Sequence, residues 1–263
     1  MSGVREFSMA MTIVGVLLGV VASGEPVQAE DLTIGAVHSL KGAFGEILPM
    51  FEKEYGATVR VVYGPSQTLR RQIEKGAPID VFLSAAEEIE KLQKKGLTLN
   101  GGLRTYAQTS LVLVMSATSP AIQVSFHDVL LNRGTRIALG DLETSAVGVI
   151  TARALRKLDS AYRNHFRLFH AQHNEEIVNL VYTGEADVGI LYRVDAIHNS
   201  GQVRIIDETP TGTYMPVQFG QAVVWTCRDK ARHVAEEFFD FIASPRIQKL
   251  LLKYGFDPVP SSR

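Results

Sequence analysis

LTIGAVHSLKGAFGEILPMFEKEY, residues 32–55, sets the architecture of the chain. Leu32, Ile34, Ala36 and Val37 make an apolar run of strand length. From Leu40 the apolar positions change to three- and four-residue steps through Ala43, Phe44, Ile47, Phe51 and Tyr55, the face of a helix. A buried strand therefore runs straight into an amphipathic helix, with Ser39 at the join where an N-cap belongs. A strand feeding a helix N-terminus gathers free backbone N–H groups, the positive end of the dipole and here a hydroxyl at one point, which suits an anion. On the residues alone Ser39 is either a cap or an anion contact, and capping is the commoner use of serine there. Pro49 removes a hydrogen bond from the helix interior, at about 3 kcal/mol, and predicts a kink or two helices meeting.

The same unit recurs. Residues 58–63 (TVRVVY) read as a strand, Gly64-Pro65-Ser66 as a turn, and 67–75 as a helix stopped by Gly76. A third strand, 81–83, passes through Ser84 into a helix over 87–95 that stops at Gly96. Consecutive strand-to-helix units imply a parallel sheet with right-handed crossovers, which binds ligands at the carboxyl ends of its strands. A second set begins at residues 111–115 (LVLVM). It comprises a helix at 126–131, a strand at 136–139, a loop from Asp141 to Ser145 and a helix running through Ala154. Asn174 then precedes a helix over 175–183, and a strand at 188–191 ends at Tyr192. Residues 203–206 read as an outer strand, 210–215 as a connector, 222–225 as a strand, and 231–243 and 245–254 as closing helices.

A chain of 263 residues with 46% hydrophobic and 21% charged residues is ordinary for a soluble α/β protein. The formal net charge of −1 offers no basic excess for nucleic acid, so any bound anion must be held by local dipoles and neutral donors. Residues 1–29 read as a cleavable export signal. Arg5 is followed by an apolar run over 9–22 and the small-residue site Val27-Gln28-Ala29, and the run is shorter than the roughly 20 residues of a membrane span. The single cysteine, Cys227, excludes an internal disulfide and reads as a packed small hydrophobe.

Two motifs suggest chemistry. Gly64-Pro65-Ser66-Gln67-Thr68 approaches the nucleophile elbow of α/β-hydrolases but lacks its second glycine, leaving an exported serine hydrolase using Ser66 as a competing class. His170 and His173 in HAQHNEE suggest a metal, yet a zinc site wants three or four ligands, and loop histidines explain the pair without a cation. Walker A, GxGxxG and CxxC patterns are missing, so no cofactor is expected.

Three segments, Gly35 to Leu40 (GAVHSL), Tyr63 to Ile73 (YGPSQTLRRQI) and Gly76 to Ala85 (GAPIDVFLSA), resemble the periplasmic molybdate-binding proteins of ABC importers. Gly184 to Tyr192 (GEADVGILY) and Lys253 to Phe256 (KYGF) are similar to the same family in the same order. The resemblance covers essentially the whole chain after residue 29 and implies a two-lobed periplasmic-binding-protein fold of type II. Each lobe would be a mainly parallel sheet flanked by helices, with lobe 1 at 30–108 and 217–263 and lobe 2 at 109–216. The chain would cross between lobes near 107–110 and 216–220, where a hinge would close the cleft. The implied ligand is a tetrahedral oxyanion, molybdate or tungstate first, with another oxyanion or a small carboxylate as the alternative. Ser39 and Ser66 match the serine ligands of the first lobe and Tyr192 the tyrosine ligand of the second. Val147 and Asn174 fall where the family contacts the anion through backbone N–H. The loop from Asp141 to Gly148 keeps the family's Asp, Glu and last Gly but loses both prolines, and β-branched Val147 narrows the pocket. His173-Asn174-Glu175 replaces the family's Asn/Asp-Val-Arg, placing a carboxylate near the anion position unless Glu175 serves only the helix dipole. The resemblance further implies a periplasmic monomer that is no enzyme, holds no metal cation, and hands its ligand to an ABC permease or presents it to a sensor.

Overall fold

The computed structural model describes residues 31–99, 101–120, 124–142, 145–210 and 212–259. The export signal read over 1–29, and Glu143 and Thr144 of the altered loop, lie outside the described residues.

The opening stretch folds as its change of period predicts. Strand β1 (Asp31–Ala36) buries Leu32, Ile34 and Ala36, a 3-10 turn (His38–Leu40) follows, and α1 (Lys41–Tyr55) buries Ala43, Phe44, Ile47 and Phe51. Pro49 does not divide α1, which is one continuous helix. Pro49 and Gly45, four residues back, are both exposed, so the carbonyl that proline leaves unbonded lies where water can satisfy it.

The chain continues through β2 (Thr58–Tyr63), α2 (Ser66–Glu74), β3 (Val81–Ala85), α3 (Ala86–Lys94) and β4 (Arg104–Thr109). A second set comprises β5 (Leu111–Ser116), α4 (Phe126–Leu131), β6 (Arg136–Gly140), α5 (Ala146–Leu158), α6 (Tyr162–His165) and β7 (Arg167–Ala171). It goes on with α7 (Asn174–Tyr182), β8 (Val188–Tyr192), α8 (Arg193–His198) and β9 (Val203–Glu208). The chain closes with β10 (Val217–Val223), α9 (Arg232–Ala243) and α10 (Pro245–Lys253).

Two five-stranded sheets result, ordered β2-β1-β3-β10-β4 and β7-β6-β8-β5-β9. β1 is parallel to β2 and β3, and β6 is parallel to β7 and β8, whereas β10 and β5 each run antiparallel to both neighbours. Each sheet is thus mainly parallel with one reversed strand in the same place. That strand comes last in the first sheet and first in the second. β4 of the first sheet ends at Thr109 and β5 of the second begins at Leu111, while β9 of the second ends at Glu208 and β10 of the first begins at Val217.

The strand read at 222–225 is the tail of β10, which starts at Val217. Gly220, placed by the sequence reading in a crossing at 216–220, lies inside the strand, where a Cβ would fall 2.2 Å from Leu103 Cδ1, so it is a close-packing glycine. β4 (RTYAQT) and β7 (RLFHA) escaped the sequence reading because edge strands with polar, partly exposed residues blur the apolar alternation.

One apolar cluster runs through both sheets. A smaller one, built on Leu69, Ile73, Phe82, Ile89 and Leu92, lies under α2 and α3. The rings of Tyr192 and Phe219 meet edge to face at 5.7 Å between the bodies, and on the first-sheet side Phe219 meets Phe256 at 5.3 Å. Asp80, from the GAPIDVFLSA segment, is fully buried and acts as a clamp. It accepts the Thr33 N–H at 2.8 Å, the Arg228 backbone N–H at 3.0 Å, and the Arg228 guanidinium at 2.6 and 3.2 Å. Cys227 is buried, as expected of a packed small group. Among the described residues no helix is long and apolar enough to cross a membrane.

Candidate functional site

Segments that follow the carboxyl ends of parallel strands converge on one small cavity. Val37, His38 and Ser39 follow β1, and Gly64, Pro65 and Ser66 follow β2. Ser145, Ala146 and Val147 come after β6, Gln172, His173 and Asn174 after β7, and Tyr192 ends β8. All five residues singled out in the sequence, Ser39, Ser66, Val147, Asn174 and Tyr192, line this cavity. The two serines come from the first-sheet body and the other three from the second. The cavity measures about 20 Å³. That exceeds the roughly 10 to 15 Å³ that houses one water and is far below the roughly 300 Å³ at which pockets for drug-sized molecules begin.

The local geometry differs from simple capping. Ser39 lies in the 3-10 turn, Leu40 holds the N-cap position of α1, and the Ser39 hydroxyl instead reaches Asp195 Oδ2 at 3.1 Å. Ser66 is the first residue of α2, after Pro65 at the N-cap, and its hydroxyl makes no hydrogen bond among the described residues. Val147 and Asn174 stand in the first turns of α5 and α7. The first-turn N–H groups of α2, α5 and α7 lack intrahelical acceptors, so three positive dipole ends meet at one volume. The start of α5 is fixed by a glycine. A Cβ on Gly148 would fall 2.2 Å from the Gly140 carbonyl oxygen and 2.4 Å from that of Asp141. This close approach presses the Val147 turn against the end of β6 without the family's prolines.

Tyr192 supplies the clearest donor. Its hydroxyl is buried and has no hydrogen-bond partner among the described residues. Burial, with the nearby Asp195 carboxylate, holds its phenol well above the ordinary tyrosine range, so the group stays neutral.

Asp195, in the first turn of α8, was not anticipated. It is 5% exposed and accepts hydrogen bonds at Oδ2 from Ser39 Oγ and from Asn174 Nδ2. Burial pushes its pKa up to about 7 against the opposing pull of those two hydrogen bonds, with Glu175 adding to the rise. Asn174 therefore contributes its side chain, and not only the backbone N–H expected of it, since Nδ2 also lies 3.4 Å from Ser39 Oγ. The one available signal was a carboxylate inside the apolar run ILYRVDAI.

The histidines are divided. His170 is exposed on β7, while His173 lines the cavity and its ring lies 5.3 Å from that of His38 across the two bodies. Burial lowers the His38 pKa, partly opposed by Glu175. Among the described residues no group of three or more His, Cys, Asp or Glu side chains is placed to hold a metal ion, and no histidine hydrogen-bonds to Ser66. Glu175 pairs with Lys41 of α1 at 3.1 Å, so the carboxylate brought by the altered loop carries its own counter-charge. No lysine or arginine lines the cavity among the described residues. A larger cavity of about 520 Å³ opens elsewhere between the bodies. Its cations are engaged, Arg153 with Glu87 at 3.1 Å and Lys157 with the Gly212 carbonyl.

The chain is 31% identical over 86% of its length, and 85% of the relative's, to a putative ABC transporter substrate-binding lipoprotein, YvgL, of Bacillus subtilis. It is 30% identical to the molybdate-binding protein ModA of Escherichia coli, covering 92% of this chain and 95% of that one. The solved periplasmic molybdate-binding protein of Azotobacter vinelandii superposes with a TM-score of 0.75 at 25% identity, over 88% of this chain and all of that one. The architecture of two sheets flanked by helices is the two-lobed type II periplasmic-binding-protein fold. Residues 32–257 match the family of bacterial extracellular solute-binding proteins, and the chain belongs to that family.

Proposed function

We propose that the protein is an exported solute-binding protein that captures one tetrahedral oxyanion, molybdate or tungstate first, and delivers it to an ABC permease without performing chemistry. The observation that carries this reading is the convergence of the Ser66 and Tyr192 hydroxyls, both without a hydrogen-bond partner among the described residues, on one small cavity that none of the described lysines or arginines lines. Neutral donors and helix N-termini stabilise a dianion without a counter-ion. The relatives of known ligand point the same way, since two of them are molybdate-binding proteins.

In this reading residues 1–29 direct export and are removed, and the mature protein works as a monomer. Lobe 1 comprises 30–108 and 217–263 and lobe 2 comprises 109–216, with closure by hinge motion at the crossings near Ser110 and over 209–216. Ser39, Ser66 and Tyr192 donate through side chains, and Val147 and Asn174 through backbone N–H. A second reading, a different oxyanion or a small carboxylate, draws on the cavity of about 20 Å³ beside β-branched Val147.

A thermal-shift panel of molybdate, tungstate, sulfate, phosphate and small carboxylates tests both. Molybdate and tungstate are expected to raise Tm most, because a ligand at 100 times its Kd adds about 2.7 kcal/mol of stability. A shift confined to sulfate, phosphate or a carboxylate would replace the molybdate assignment, and no shift with any anion would remove the function.

A further inference from the structure

We propose that Asp195 takes up a proton as the anion enters, and that this proton is what converts Ser39 into a donor toward the ligand. The inference rests on the oxyanion reading of the cavity and adds a positioning residue to it.

A serine hydroxyl has one hydrogen, and Ser39 has two claims on it. An ionised carboxylate only accepts, so while Asp195 is charged the hydrogen of Ser39 must point at Oδ2, 3.1 Å away, and Ser39 turns lone pairs toward the cavity. Asn174 Nδ2 donates to the same Oδ2 and also lies 3.4 Å from Ser39 Oγ, which closes the triangle. In that state Ser39 repels an anion. With a proton from solvent on Oδ2, the carboxyl O–H donates to Ser39 Oγ and still accepts from Asn174. Ser39 keeps its own hydrogen and turns it to the ligand. The proton also removes a like charge from beside a dianion in a dry site.

Among the described residues no cation neutralises Asp195 in place of a proton. Around α8, the adjacent carboxylate Glu175 of α7 is matched to Lys41 of α1. On α8 itself Arg193 pairs with Asp257, and His198 faces Gly42 of α1. On β9, Arg204 donates to carbonyls of the 116–120 turn, Asp207 accepts the Phe126 N–H, and Glu208 is exposed. Tyr192 of β8 stays neutral, and His38 and His173 face the cavity from the two bodies. None of these groups hydrogen-bonds to Asp195 among the described residues.

The sign follows from linkage. Free Asp195 titrates at about 7, and a bound anion moves it higher. Uptake is therefore small below that value and approaches one proton per anion above it, and affinity falls as pH rises.

The test is calorimetric titration of the protein with sodium molybdate in two buffers of different ionisation enthalpy. Net uptake should be near zero at about pH 5.5 and close to one proton at about pH 8.5, with affinity falling up to about tenfold per pH unit above 7. Asp195→Asn, whose amide cannot take up a proton, should lose both the uptake and the pH dependence. Molybdate binding by the wild type at about pH 8.5 without uptake overturns the inference and leaves the function standing. Uptake that persists in Asp195→Asn assigns the proton to another group and also overturns it. The wild-type measurement decides even if the variant does not fold. If no oxyanion binds at any pH, the functional reading falls first and this inference with it.

Discussion

Replacing Asp80 by alanine should destabilise the protein by about 3 to 5 kcal/mol, the range for removing one partner of a buried ion pair. Asp80 is fully buried and holds four donors, the Thr33 N–H and three from Arg228. Alanine leaves the Thr33 N–H without its acceptor and strands a guanidinium beside the core. The Arg228 side chain is 31% exposed and can partly rehydrate, which places the expected loss toward the lower end. The clamp joins the start of β1 to the segment after β10, so it closes the first sheet around its reversed strand. Urea unfolding with an unchanged m-value measures the loss. A midpoint shift worth less than about 1 kcal/mol would mean that Asp80 holds nothing the core does not already hold.

Ser66→Ala should weaken oxyanion binding by about 1.5 to 3 kcal/mol, the scale of a hydrogen bond to a charged group. Its effect on folding should stay within about 0.5 kcal/mol, because the hydroxyl has no hydrogen bond among the described residues to lose. The combination of large and small effects separates a ligand contact from a helix cap, since loss of a cap costs about 1 kcal/mol of stability. Ser39 cannot be tested so cleanly. Its hydroxyl bonds Asp195 and Asn174, and alanine there disturbs a buried carboxylate along with any ligand contact. Unchanged affinity in the calorimeter would take Ser66 out of the site.

The change of period at Leu40 and the strand-to-helix units were legible because hydrophobic periodicity is local, and the structure places β1, β2, β3, β6 and β8 within about two residues of their sequence limits. The edge strands β4 and β7 were not, since polar, partly exposed residues interrupt their apolar alternation. The strand β10 was shortened by assigning residues 216–220 to a crossing between lobes, when the glycine at 220 is demanded by a neighbouring Leu103 methyl. Pro49 was read as a kink or the meeting of two helices, and the second does not occur because the proline sits on an exposed face of one continuous helix.

Within the site, Ser39, Ser66 and Tyr192 were legible as residues at strand ends, and the resemblance chose them among several hydroxyl-bearing turns. How Ser39 is used was not legible, because a 3-10 turn separates it from the helix it was expected to cap. Asp195 was missed for a different reason. Its partners Ser39 and Asn174 lie 156 and 21 residues away, and a first-turn acid looks the same in sequence whether it meets water or a buried hydroxyl.

The most direct measurement is the position of the bound anion, located by anomalous scattering from crystals grown with tungstate. One peak is expected in the cavity, with oxygens within hydrogen-bond distance of the Ser39, Ser66 and Tyr192 hydroxyls and of the Val147 and Asn174 backbone N–H groups. A peak held elsewhere, or a cavity left empty at saturating tungstate, would contradict the oxyanion site.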